Sequence, residues 1–82
     1  MTDERLLRAE LAKAGVSTTE AAEWLGISLQ SFLWKVRNIR EFKASEIYTL
    51  REKLDLSPAE QERIFFAPNV GGESTSASAA AN

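Results

Sequence analysis

The chain contains no cysteine and no histidine. The absence of cysteine excludes a disulfide framework and a thiolate metal site. The absence of histidine removes both the commonest general base and the commonest metal ligand. The acidic residues form no converging pattern of paired carboxylates. We therefore expect no enzymatic activity, no cofactor, no metal ion and no small-molecule ligand.

Long apolar runs are also missing. No run approaches the ~20 residues that a membrane span requires. The first ten residues, MTDERLLRAE, lack the basic-then-apolar order of a signal peptide. These two observations predict a cytoplasmic protein without membrane association. A chain of 82 residues predicts one small domain, which buries only a modest fraction of its surface unless it dimerises.

Positive charge is scarce overall but locally concentrated. The net charge is −2 and the calculated pI is about 5.1, which argues against sequence-independent coating of nucleic acid. Within residues 35–43, however, four basic residues accompany only one acidic residue, Glu41: they are Lys35, Arg37, Arg40 and Lys43. Because salt screens distant charges, such a stripe can bind phosphate on an acidic domain. A solvated basic loop is the alternative interpretation.

Capping signals divide the chain into five predicted helices. Ser17 with Glu20 forms a capping box. Ser57, Pro58 and Glu60 combine a cap, a proline at the first helical position and a second capping box. No segment has the pattern of a strand, so the predicted fold class is all-α. The predicted helices span residues 3–14, 18–25, 29–37, 45–54 and 58–66.

The composition changes near Pro68. The stretch NVGGESTSASAAAN, which follows it, is small and polar and offers almost nothing to bury. Such a composition is typical of disorder. We therefore predict a folded domain over residues 1–67 and a disordered tail over residues 68–82.

The spacing around the second and third predicted helices indicates a tight helical pair. Ala22 is followed four residues later by Gly26 and ten residues later by Phe32. Two short helices that cross steeply need a small residue at the crossing and a positive φ in the turn, which Ala22 and Gly26 supply. Leu25 and Ile27 are expected to fill the junction, while Phe32 anchors the second helix in the core.

The segment GVSTTEAAEWLGIS resembles the helix-turn-helix of the phage lambda repressor and Cro-like family, also called the XRE family. The segment FLWKVRNIREFKASEI is similar to the stretch that follows this motif in small phage-type regulators. The resemblance covers about residues 5–66. It implies a compact five-helix lambda-repressor-like domain that binds double-stranded operator DNA, usually as a two-fold dimer.

The resemblance also assigns roles to individual residues. The base-reading positions of the third helix fall on Leu29, Gln30, Leu33 and Trp34. The phosphate-contacting positions fall on Thr18, Ser28, Lys35, Arg37, Asn38, Arg40 and Lys43. The buried positions fall on Ala22, Leu25, Ile27, Phe32 and Val36.

The would-be reading face is unusually apolar. Taking ~100° per residue, Phe32 and Val36 point inward, so Gln30 and Trp34 are expected to point outward. Leucine and tryptophan can touch thymine methyl groups, but they cannot form the bidentate hydrogen bonds that distinguish guanine or adenine.

Three interpretations of this face remain open. The first is thymine-biased DNA reading by a Cro-like transcription regulator of phage or prophage origin. The second is a protein-binding surface through Leu29, Leu33 and Trp34, as in an antirepressor, an inhibitor or an adaptor. The third is packing of these residues on the protein's own loops or in a dimer.

The last predicted helix ends in three consecutive apolar residues, Ile64, Phe65 and Phe66. Because consecutive helical residues cannot all face one core, we predict that this segment contributes a homodimer contact. The alternative is that Ile64 and Phe65 complete the core while Phe66 is a single exposed aromatic residue. The chain is too short to hold a sensor or ligand domain as well. As a regulator, it would act through occupancy, concentration and partner contacts alone, in the manner of a Cro-type switch protein and not of an inducible repressor.

Overall fold

The computed structural model describes residues 1–68, and the predicted tail, apart from Pro68, lies outside the described residues. Within this range the chain forms five α-helices and no strand, which confirms the predicted all-α class. The helices are α1 (Glu4–Ala14), α2 (Thr18–Leu25), α3 (Leu29–Val36), α4 (Ala44–Leu54) and α5 (Pro58–Phe65).

Local hydrogen bonds define most helix starts. The Ser17 and Ser57 hydroxyls each accept the backbone N–H three residues later, at 3.1 Å, and in each case a glutamate reaches back to the serine N–H. These are the two predicted capping boxes. Asp3 and Ser28 cap α1 and α3 in the same way, without the returning glutamate.

Left-handed residues end three of the helices. Gly15 and Gly26 adopt φ values of 71° and 69° after α1 and α2. Asp55 ends α4 at a φ of 55°. The helix bounds differ from prediction by one residue at several ends: α4 begins at Ala44, α3 ends at Val36 and α5 ends at Phe65. At the start of α4, the Glu46 carboxylate accepts the Lys43 N–H at 2.8 Å, which places the first turn one residue earlier than expected.

The core draws on all five helices and on two loop residues, Phe42 and Leu56. Phe42, in the loop between α3 and α4, lies between Phe32 and Phe65 with edge-to-face ring contacts at centroid distances of 5.9 and 5.6 Å. Such geometry suits the ring quadrupoles. The buried apolar residues are Leu7, Leu11, Ala21, Ala22, Phe32, Val36, Phe42, Ile47, Leu50, Leu56, Ile64 and Phe65.

The two ends of the described chain lie side by side. Met1 and Ala67 exchange hydrogen bonds of 3.0 and 2.9 Å, and the Asp3 N–H donates to the Ile64 carbonyl. The amino-terminal segment is thereby fixed against the end of α5. No helix in residues 1–68 has both the length and the apolar content needed to cross a membrane.

Candidate nucleic-acid interface

The pair α2 and α3 positions the candidate site. A three-residue turn, Gly26 to Ser28, joins the two eight-residue helices, which pack against each other more extensively than any other pair. Ala22 is buried, as predicted, and its carbonyl accepts the Ile27 N–H at 3.1 Å, which closes the turn. Leu25 and Ile27 are only half-buried and pack on the edge of the core.

The four predicted base-reading residues differ in exposure. Leu29 and Gln30 are exposed at the start of α3, and Leu29 retains 40% of its surface. Leu33 and Trp34 are half-buried. The inward direction of Phe32 and Val36 is confirmed, since both are fully buried.

Trp34 is not the fully outward residue that the helical angle predicts. The chain turns back after α3, so that the Ile39 and Arg40 N–H groups donate to the Trp34 carbonyl at 2.8 and 3.3 Å. The Arg40 guanidinium then lies over the indole, 4.9 Å from the ring centroid. Helical periodicity cannot predict that Trp34 is covered, because the covering residue, Arg40, belongs to the loop after the helix.

Three predicted phosphate contacts are exposed beside this face. Arg37, Arg40 and Lys43 present positive charge to solvent, with Glu41 as the one exposed carboxylate in the same loop. Ser28 is exposed and caps α3, and Thr18 is half-buried at the first position of α2. Three of the four basic residues of the predicted stripe therefore lie on the surface.

The prediction that Lys35 contacts phosphate is wrong. Its side chain is buried, with 8% of the residue exposed, and its ammonium donates to both Glu46 carboxylate oxygens at 2.6 and 2.8 Å. Lys35 follows Phe32 by three residues and precedes Val36, so its position on the buried face was a readable signal. Its charge is neutralised by a partner eleven residues away.

Glu46 joins α3 to the start of α4. Burial alone raises the pKa of its carboxyl, but hydrogen bonds from Lys35 and from the Lys43 N–H, with the charges of both lysines, outweigh burial and lower the pKa. The carboxylate is therefore the favoured form in the folded protein. Through these hydrogen bonds the Glu46 carboxylate connects Lys35, near the end of α3, with Lys43, at the end of the basic loop.

The Asn38 side chain is committed to the protein itself. Its amide oxygen accepts the Thr2 N–H at 2.8 Å, and its amide nitrogen donates to the Thr2 carbonyl at 2.9 Å. These two bonds use one of the two amide hydrogens, and Asn38 is exposed, so the predicted phosphate contact stays a prediction. Asn38 does adopt the left-handed conformation expected after the helix, with a φ of 65°. Its pairing with Thr2 was not readable from the sequence, because the two residues lie 36 positions apart.

The three residues of the predicted dimer contact lie in different environments. Ile64 and Phe65 are buried in the core, so the prediction that they contact a second copy is wrong. Phe66 remains 53% exposed. It borders a surface groove of about 170 Å³ whose floor includes Phe42, Ile47 and Phe65.

No protein family, curated protein or solved structure compared with the chain matches it.

Proposed function

We propose that the protein is a small sequence-specific DNA-binding transcription regulator, a Cro-like repressor of the lambda-repressor-like helix-turn-helix class. The observation that supports this most is the joint position of the exposed start of α3 and three exposed cations. Leu29 and Gln30 form the start of that helix, and Arg37, Arg40 and Lys43 lie just beyond its end. A helix that enters the major groove needs phosphate contacts beside it to fix its orientation.

We propose that only two residues contact DNA bases. Gln30 is the exposed amide that can pair with adenine, and Leu29 can contact a thymine methyl group. The three cations supply affinity without sequence information. We therefore propose a regulator that favours A·T-containing sites and acts as a homodimer with its two α3 helices about 34 Å apart.

The test is the salt dependence of binding to a fluorescent random-sequence duplex. Three phosphate contacts per copy predict a log–log slope of about −2.7 per copy, or about −5 for a dimer. Replacing Arg37 and Arg40 together by alanine is expected to weaken binding to every sequence and to reduce the slope by about 2 per copy.

The matched control is the double replacement of Lys13 and Lys53 by alanine. It removes the same charge from exposed sites in α1 and α4. We expect it to leave the slope nearly unchanged, because distant exposed charges are screened. Binding of the arginine double variant like that of the wild type would refute the phosphate assignment, and no binding at low salt would refute the DNA-binding proposal.

A second candidate function is a protein-binding module on the same scaffold. It is favoured by the exposed apolar side chains of Leu29 and Ile39, which retain 40% and 63% of their surface at the start of α3 and in the loop after it. Exposed apolar groups beside arginine are typical of interface hot spots. This candidate predicts that the duplex titration fails at low salt, whereas Leu29→Asp abolishes association with a protein partner.

A further inference from the structure

The turn after α3 is fixed at several points before any ligand arrives. Asn38 adopts a positive φ and holds Thr2 through two side-chain hydrogen bonds. The next two backbone N–H groups, those of Ile39 and Arg40, both donate to the Trp34 carbonyl. The backbone of Arg40 is therefore fixed relative to Trp34 and to the amino-terminal segment.

The side chain of Arg40 also contacts Trp34. Its guanidinium carbon lies 4.9 Å from the centre of the Trp34 ring, within the range of a cation–π contact. Trp34 is half-buried and Arg40 is exposed, so the ring supports the guanidinium from the protein side. A guanidinium stacked on a ring keeps the N–H groups of its edge available for a phosphate oxygen.

The charge of Arg40 remains available, unlike that of Lys35. Among the described residues, the ion pairs are Arg8 with Glu4, Lys13 with Glu10 and Lys35 with Glu46. Arg40 belongs to none of them. Its stacking on Trp34 limits its motion without neutralising it.

We propose that Trp34 is a positioning residue, which holds Arg40 in place for a DNA phosphate and does not itself read a base. This inference rests on the proposed DNA-binding function and assigns the role of one residue within it. A long side chain that is ordered before binding loses less conformational entropy when it meets its partner. The indole has no hydrogen-bond acceptor and one donor, so it cannot form the bidentate pairs by which bases are distinguished.

The first test needs no DNA. Arg40 side-chain protons lie above an aromatic ring, so their NMR signals are expected upfield of ordinary arginine values in the free protein. Trp34→Ala should return these signals to ordinary values, and Trp34→Phe should leave part of the shift. If the Arg40 signals are the same in the wild type and in Trp34→Ala, the stack is absent and the proposal is overturned.

The second test is a double-mutant cycle on a random-sequence duplex at several salt concentrations. A cation–π contact at an exposed site predicts that Trp34→Ala weakens binding about two- to fivefold. In an Arg40→Ala background, the same replacement should have almost no further effect, because the residues act as one unit. Trp34→Phe should retain part of the affinity, since a smaller ring still supports the guanidinium.

The chain offers a matched control pair. Lys53, in α4, lies over the ring of Trp24, in α2, at 5.8 Å from the centroid, and neither residue belongs to the loop after α3. Lys53→Ala removes one positive charge and one cation–π contact, and we expect duplex binding to stay within about twofold of the wild type because an exposed charge at a distance is screened. Thermal melting of each variant verifies that it is folded.

The possible results separate the two proposals. If Trp34→Ala weakens binding equally with and without Arg40, Trp34 touches DNA itself and the positioning role is refuted while DNA binding stands. An unchanged affinity in Trp34→Ala refutes the positioning role in the same way. A wild-type protein that binds no duplex at low salt refutes both, and the NMR signals then show whether the stack exists without that function.

Discussion

Lys35 and Glu46 form the most consequential side-chain pair at the scale of single residues. The pair carries opposite charges into a buried position between α3 and α4, with ammonium-to-carboxylate distances of 2.6 and 2.8 Å. Removing both charges from water is costly, and the hydrogen bonds to both carboxylate oxygens offset that cost. Removing one partner leaves the other charge buried and unpaired.

We expect Lys35→Met to lower the free energy of unfolding by about 3–5 kcal/mol at pH 7. The pKa of Glu46 is lowered from its ordinary value of 4.5, so the contribution of the pair is complete above that pH and is lost as the pH falls through the lowered pKa. The cost of Lys35→Met should therefore be smaller at pH 3 than at pH 7, because at pH 3 the unfolded chain already binds a proton at Glu46. Urea unfolding at both pH values measures this.

The control is Lys13→Met, which alters an exposed lysine that pairs with Glu10 at 3.2 Å on the surface of α1. Exposed pairs contribute little, so this change should cost less than about 0.5 kcal/mol. An equal cost of Lys35→Met at pH 7 and pH 3 would show that packing of the lysine stem, and not the ion pair, carries the effect.

At the scale of elements, two of the turns between helices contain a left-handed residue that is not glycine. Asn38 follows α3 at a φ of 65°, and Asp55 follows α4 at a φ of 55°. Short polar side chains tolerate this conformation better than other L residues do. The difference is that the Asn38 side chain also connects its turn to Thr2 through two hydrogen bonds.

Asn38→Gly is expected to lower the free energy of unfolding by about 1–2 kcal/mol, because two partly buried hydrogen bonds are lost while the backbone conformation is kept. Asp55→Gly is the matched control and should change stability by less than about 0.5 kcal/mol, since glycine adopts the left-handed conformation without strain. Thermal or urea unfolding of the two variants compares them directly. Equal effects would contradict a stabilising role for the contact between Asn38 and Thr2.

At the scale of the whole molecule, the end of α5 separates the core from the surface. Phe65 is buried and touches Phe42 edge to face, whereas its neighbour Phe66 is exposed beside the surface groove. The same residue type therefore occurs at adjacent positions in opposite environments. Substitutions at Phe65 and Phe66 therefore allow the stability of the single chain and its self-association to be tested separately.

Phe65→Ala should lower the free energy of unfolding by about 3–5 kcal/mol, as expected when a buried aromatic ring is deleted. Phe66→Ala should change the stability of the single chain by less than about 0.5 kcal/mol, because its ring is exposed. On the proposed homodimer, Phe66→Ala should instead weaken self-association, measured by sedimentation over a concentration series. Unaltered association of this variant would remove Phe66 from the proposed dimer contact.

The helices and most of their ends can be predicted from short local patterns in the sequence. Ser17 with Glu20, and Ser57 with Pro58 and Glu60, mark starts through hydrogen bonds that span three residues. Gly26 marks an end because its backbone conformation is a local property. These capping hydrogen bonds and left-handed residues involve only a few neighbouring residues, so they can be predicted without knowledge of the fold. The buried direction of Phe32 and Val36 follows equally from helical periodicity.

Only the tertiary structure decided which charges and rings are available at the candidate interface. Lys35 belongs to the basic stripe by sequence, but Glu46, which is brought beside it by the packing of α4, removes it from the surface. Trp34 is outward by helical angle, but Arg40 covers it because the chain turns back. The helical position of Lys35 indicates that it lies on the buried face of α3. Neither its partner Glu46 nor the cover of Trp34 by Arg40 can be predicted in that way, because periodicity within one helix carries no information about residues outside it.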